Sequence, residues 1–253
     1  MPVTDLDLIT NAARKAGAIA TRFFNADPKV WEKPGQGPVT EADLAVDKML
    51  SDMLRSARPD YGWLSEETAD TDARLKTTHQ FVVDPIDGTR AFIEGSKDWA
   101  ISIAVVSNGV PSAAAIYLPM RDSLYAASHE TTAVLNGRDI AISPTSETVL
   151  ATRPTMDGIH WKDDTPPNLK RHFRSSLAYR MCLVAEGRYD AMVTLRPSWE
   201  WDIAAGSLII ERAGGIVSDR TGATLIFNNT MPQLNGVIGA TPQAHADIMN
   251  RLI

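Results

Sequence analysis

A chain of 253 residues, 44% hydrophobic and 22% charged, is long enough to bury one large core or two modest ones. Its formal net charge of −6 argues against a general nucleic-acid-binding surface. The single cysteine, Cys182, excludes an intrachain disulfide and reads as a core thiol within an apolar run. Residues 1–8 carry Asp5 and Asp7 and no basic segment, and no run reaches about 18 apolar residues, so neither a signal peptide nor a membrane span is expected. A cytoplasmic protein fits these bounds.

The spacing of Leu6, Ile9, Ala13, Ala16, Ile19, Ala20 and Phe23 predicts an amphipathic helix over 4–24, capped by Thr4 and ended at Asp27-Pro28. Residues 33–38 read as loop by composition. Thr40 caps a second helix running to about Arg55, with Asp43 in its first turn, where the helix dipole favours a carboxylate. The short apolar run 61–64 reads as a strand that delivers Glu66 and Glu67 at its end.

Residues 81–83 are apolar and run into Asp84-Pro85-Ile86-Asp87-Gly88-Thr89. A buried strand brings Asp84 to its C-terminal end, and pairing is expected to stop at Pro85, which has no N–H for the ladder. Gly88 permits a tight turn and a close ligand. Two adjacent carboxylates suit a hard divalent cation. On these residues alone, a metal site and an Asp-rich turn both stay open. A short helix over 90–94 follows, its N-terminal amides near Gly88 and Thr89 forming a phosphate cradle.

Strand signals then come in series at 99–106, 111–118, 123–128 and 132–135, joined by turns that include Asn108-Gly109 and Asn136-Gly137. This predicts an antiparallel meander with two helices in the first half. Beyond 145, strands (148–152, 189–195, 216–217, 236–240) alternate with helices (176–186, 201–213, 242–252), an α/β pattern. The boundary falls near 141–148, giving an N-terminal α+β domain (1–143) and a C-terminal α/β domain (144–253). Asp202 opens the helix at 201 and precedes Ala204-Ala205-Gly206, small residues that allow close backbone approach.

Taken together, Thr40-x-x-Asp43, Glu66-Glu67, Asp84-Pro85-Ile86-Asp87-Gly88-Thr89, Trp201-Asp202-Ile203-Ala204-Ala205-Gly206 and Gly214-Gly215, in this order, resemble the inositol monophosphatase family of magnesium-dependent, lithium-sensitive phosphatases. The resemblance covers nearly the whole chain. It implies a layered αβαβα fold, a homodimer, two or three Mg²⁺ ions, and a small phosphorylated metabolite as substrate. By motif position it assigns Glu66, Asp84 and the Ile86 carbonyl to one metal, and Asp84, Asp87 and Asp202 to a second, with a third ion near Glu66. It makes Thr89 and Asp43 the pair that activates the attacking water, and counts Glu66 with them as catalytic. Gly88, Thr89, Asp87, Asp202, Ser176 and Arg196 fall to substrate binding.

Inositol-specific members carry a glutamate in the strand before the Trp-Asp motif, where Thr194 and Leu195 stand here. Arg90 after the Asp-Gly-Thr motif resembles branches acting on 3′-phosphoadenosine 5′-phosphate or histidinol phosphate, and the 176–187 stretch resembles the nucleotidase branch. The substrate is therefore open among inositol monophosphate, a 3′(2′),5′-bisphosphate nucleotide and histidinol phosphate. Arg196, Trp199 and Trp201 are expected on the substrate rim, and Arg180, Arg196 and Lys170-Arg171 are candidates for a second phosphate. Some relatives are regulatory binding proteins, which is the non-enzymatic alternative.

Overall fold

The computed structural model describes residues 3–33, 35 and 37–253. Thr4 accepts from the Asp7 N–H and starts α1 (Asp5–Phe23). A two-stranded ribbon, β1 (Val30–Lys33) and β2 (Gly37–Thr40), leads into α2 (Glu41–Ala57), which Thr40 and Asp43 start with a reciprocal capping box. The ribbon corrects the reading of 33–38 as loop. Within that stretch, Pro34 and Gln36 lie outside the described residues.

Next come β3 (Gly62–Ser65), β4 (His79–Asp87), α3 (Thr89–Ile93), β5 (Ala100–Ser107), β6 (Val110–Leu118), β7 (Ser123–Ser128), β8 (Val134–Leu135) and β9 (Arg138–Asp139). They form a seven-stranded sheet in the order β3-β4-β5-β6-β7-β8-β9. Only the β3–β4 pair is parallel; the rest is the expected meander. Both Asn-Gly turns have positive φ at both residues (Asn108 49°, Gly109 82°; Asn136 50°, Gly137 77°), the backbone that matches strand twist in a tight hairpin.

The second sheet is built from β10 (Thr148–Ala151), β11 (Lys170–His172), β12 (Ala191–Thr194), β14 (Ile216–Ser218) and β16 (Val237–Ala240), in the order β11-β10-β12-β16-β14. Helices α4 (Leu177–Ala185), α5 (Glu200–Arg212) and α6 (Pro242–Arg251) accompany it. A small separate pair, β13 (Ser198–Trp199) with β15 (Gln233–Leu234), lies beside the start of α5. Residues 156–168, read as loop or short helix, are mainly short 3₁₀ turns.

Three buried clusters define the layers. One fills the space between α1/α2 and the seven-stranded sheet, with Ile9, Leu50, Phe81 and Trp99. A second joins the other face of that sheet to α4 and α5, with Ile116, Met181 and Leu208. A third lies between the five-stranded sheet and α6, with Val193, Ile238 and Ile248. The order is αβαβα. Burial on both sides of β5 explains its almost unbroken apolar sequence.

Candidate active site

The site begins where β4 runs out. Pairing with β5 is regular to Asp84↔Ser102, slips over Pro85 and Ile86, and resumes at Asp87↔Ala100. The expectation that pairing stops at Pro85 therefore needs correcting: the missing N–H makes a bulge rather than an end. The bulge brings Asp84 and Asp87 to one side. Asp84 Oδ1 accepts from the Ile86 N–H at 3.0 Å, while Asp87 Oδ2 accepts from the Ser176 hydroxyl and the Ala178 N–H at the start of α4.

Asp202, in the first turn of α5, meets this pair: one carboxylate oxygen from each of Asp84, Asp87 and Asp202 lies within 4.8 Å of the others. Burial pushes the Asp84 carboxyl well up, reinforced by Glu66, Asp87 and Asp202. Burial also raises Asp202, reinforced by Asp87 and Glu66. Asp87 is raised by burial too, against the Ser176 and Ala178 hydrogen bonds. Three converging carboxylates destabilise one another unless a cation joins them. An all-oxygen donor set of this kind fits Mg²⁺.

Thr89 opens α3 beside them. Its hydroxyl lies 3.3 Å from Asp43 Oδ1 and 3.1 Å from the Ile86 carbonyl. Asp43 is fully buried on α2, and its other oxygen accepts from the Thr40 N–H and hydroxyl. Burial pushes Asp43 up to about 6, against the Thr40 bonds. Gly88 has φ 98°, and a Cβ there would stand 3.1 Å from the Asp98 carbonyl, so the turn between strand and helix requires glycine.

Glu66 follows β3 and sits close enough to raise Asp84, but its Oε1 is held 2.9 Å from Lys33 Nζ on the ribbon. The same ammonium lies 2.8 Å from Glu67 Oε1. Burial pushes Glu67 up to about 7, against the hydrogen bond from Lys33. Asp47, one turn beyond Asp43, accepts from Ser65 and Thr68 and so fixes both flanks of Glu66-Glu67. Lys33 and Asp47 are missing from the sequence-derived set. The Asp-x-x-x-Asp spacing on α2 was the available signal for Asp47, because it places both residues on one face.

A cleft of about 870 Å³ opens beside Asp87, Gly88 and Thr89, reaching Glu66 at one end and Arg180 and Arg196 at the other. Ser176 is fully buried and spends its hydroxyl on Asp87 and on the Tyr179 N–H, so it supports the site rather than lining the cleft. Trp199 and Trp201 stack with ring centroids 4.7 Å apart and line a different recess, with Lys33 and Glu67. They do not share the Arg196 cleft, contrary to the expected rim. Arg171 bonds the Ala151 carbonyl, and Lys170 is exposed; neither lines the cleft.

The model of the inositol monophosphatase family matches residues 3–252. Inositol monophosphatase 2 of Solanum lycopersicum is 31% identical over 86% of this chain and 88% of its own length. The Nus factor SuhB of Escherichia coli K12 is 32% identical over 86% of this chain and 85% of its own. A solved IMPase structure from Thermotoga maritima superposes with a TM-score of 0.83 at 27% identity, covering 97% of this chain and 95% of that one.

Proposed function

The chain belongs to the inositol monophosphatase family, and from that premise we propose that it is a magnesium-dependent phosphomonoesterase acting on a small phosphorylated metabolite. The observation that carries this reading is the convergence of Asp84, Asp87 and Asp202 beside the Thr89–Asp43 pair. Glu66, Asp84 and the Ile86 carbonyl would hold one Mg²⁺, and Asp84, Asp87 and Asp202 another, with a third near Glu66. Bound there, Mg²⁺ supplies neutralisation of the phosphoryl oxygens and makes a water more acidic.

The protein's own groups do the rest. The Thr89 hydroxyl takes a hydrogen bond from the attacking water and gives one to Asp43 Oδ1. Asp43, raised to about 6, is matched to accept a proton near neutral pH. The N–H groups of Gly88 and Thr89 orient the phosphoryl oxygens. The new water O–P bond forms in line as the ester P–O bond breaks, and the leaving oxygen takes a proton. Phosphate release from phosphomonoesters with Mg²⁺, its loss on chelation and its inhibition by Li⁺ test the reading. Turnover undiminished after thorough chelation would overturn it.

One observation favours a doubly anionic substrate. Arg180 is 6% exposed, makes no direct salt bridge among the described residues although the Asp87 charge acts on it, and is held by the Arg174 carbonyl and the Phe173 ring at the cleft. Burial pulls it down to about 10, still charged at neutral pH. With Arg196 nearby and Thr194 and Leu195 where a polyol-binding glutamate would stand, this arrangement suits a 3′(2′),5′-bisphosphate nucleotide better than an inositol monophosphate. Measured kcat/KM for the bisphosphate, inositol 1-phosphate and histidinol phosphate at fixed Mg²⁺ separates them. A tenfold preference for the bisphosphate, lost in Arg196→Ala, is expected; a clear preference for inositol 1-phosphate refutes it.

A further inference from the structure

Glu66 and Asp202 reach the site from different layers, and a polar chain, buried at Arg74 and Glu200, joins their neighbourhoods. Just after Glu66, Asp70 receives two hydrogen bonds of 2.7 Å from Arg74, which is 2% exposed. Arg74 then crosses to the C-terminal half. Its Nη1 donates to Asn228 Oδ1 at 2.7 Å and its Nη2 to the Asn229 carbonyl at 2.9 Å. The backbone N–H groups of Asn228 and Asn229 and the Asn229 side-chain amide donate to the two oxygens of Glu200 at 2.7–2.8 Å. Glu200 is fully buried and is the first residue of α5, two before Asp202.

Beyond the apolar packing of Trp201, Ile203 and Ala204, this start of α5 has few polar ties. Trp199 makes no side-chain cap. The ladder of β13 with β15 and the Glu200 N–H bond to the Pro232 carbonyl tie it to the same 228–234 segment. A further side-chain tie is Ser102 on β5, which donates to the Trp201 carbonyl. Arg74 is thus the anchor of that segment on the side that carries Glu66.

We infer that the Asp70–Arg74–Asn228–Asn229–Glu200 chain is a positioning device that sets Asp202 against Asp84 and Asp87, so that affinity for the cation at Asp202 depends on residues that never touch it. The inference rests on the metal-site reading above. Partners that orient ligands without binding the ion change metal affinity by about 10–100-fold in comparable sites.

The test is calorimetric titration of the full-length protein with Mg²⁺, alongside thermal melts, for Arg74→Met and Asn229→Ala, with Asp202→Asn as reference. One class of site is expected to weaken by about 10-fold in Arg74→Met and less in Asn229→Ala, with the other class within about twofold. The weakened class should be the one lost in Asp202→Asn, and kcat should recover at saturating Mg²⁺ in the two chain variants only. A lowered melting temperature with both affinities unchanged, or equal weakening of both classes, overturns the inference. Asn229→Ala, which removes side-chain bonds while Glu200 keeps its backbone donors, decides the matter if Arg74→Met does not fold. If the unsubstituted protein binds no Mg²⁺, the phosphatase reading itself falls.

Discussion

Replacing Thr89 by Val keeps the shape of the side chain and removes only its hydroxyl. That hydroxyl is 3.3 Å from Asp43 Oδ1 and 3.1 Å from the Ile86 carbonyl, in a residue 8% exposed. Its single proton is shared between these two acceptors, so the loss amounts to one modest hydrogen bond, about 1 kcal/mol of stability. Asp43 keeps its Thr40 partners, and the carboxylates Asp84 and Asp87 keep theirs. Metal affinity should fall far less than kcat: no ligand atom is removed, and the Ile86 carbonyl loses only the partner that Thr89 gives it. If the hydroxyl conducts the water proton to Asp43, its loss removes a general-base contribution of about 10²-fold or more in kcat, equivalent to about 2.7 kcal/mol of barrier. Thr89→Ser should retain most of the rate. The assay is steady-state phosphate release at saturating Mg²⁺, paired with calorimetric Mg²⁺ binding to each variant. An acid limb in kcat at or below about pH 6 should accompany the unsubstituted enzyme, since Asp43 must be ionised to accept the proton and burial raises it to about 6. A Thr89→Val enzyme with near-normal kcat and weakened Mg²⁺ affinity would refute the assigned role.

Two further substitutions test how the scaffold holds the site. A methyl group on Gly206 would come within 2.5 Å of Met181 Sδ and 2.7 Å of its Cβ, so Gly206→Ala should force α5 from α4 and destabilise by about 1–3 kcal/mol; an unchanged melting temperature counts against this close approach. Asp190 resists ionisation through burial, yet bonds from Thr145, Thr148 and the Glu147 N–H outweigh that and hold its carboxyl well below the usual range. A depressed carboxyl stabilises the fold above its unfolded value, 3.8, and loses that contribution as pH falls toward the folded value. Asp190→Asn should therefore be less stable than the parent in melts at pH 7, with the gap closing below about pH 4; a pH-independent gap would mean that the charge is not what matters.

Much of this was legible locally. Caps at Thr4 and Thr40 place two helix starts within a residue, because each hydroxyl satisfies an N–H that the helix cannot. The Asp84–Thr89 stretch announces a strand end because Pro and Gly change the backbone there. What escaped has no local pattern. The β1 strand is Val-Trp-Glu-Lys and largely exposed, so it shows no apolar alternation and exists through pairing with β2. The β11 strand is Lys-Arg-His, which reads as charged loop and becomes a strand only by lying parallel to β10. Ser176 was singled out by position, but its commitment to Asp87, 89 residues away, is a tertiary fact.

The same distinction explains why the acid groups were found and their supports were not. Asp87 ends β4, Asp202 lies in the first turn of α5 and Asp84 stands at the bulge, places where the turn and cap chemistry that exposes a side chain to a cleft also marks the sequence. Their supports, Asp47, Lys33, Arg74 and Glu200, lie within a helix, on a short ribbon, in a 3₁₀ turn and at a buried helix start. Taken singly, each reads as an ordinary surface charge. Three like charges brought together at the junction of two layers repel, and holding the layers in that geometry without the cation calls for polar contacts across the junction as well as the apolar core that joins them. Arg74, almost fully buried and bonded on both sides of it, meets that requirement, which is why the supports of this site have to be sought in residues with no chemical signature of their own.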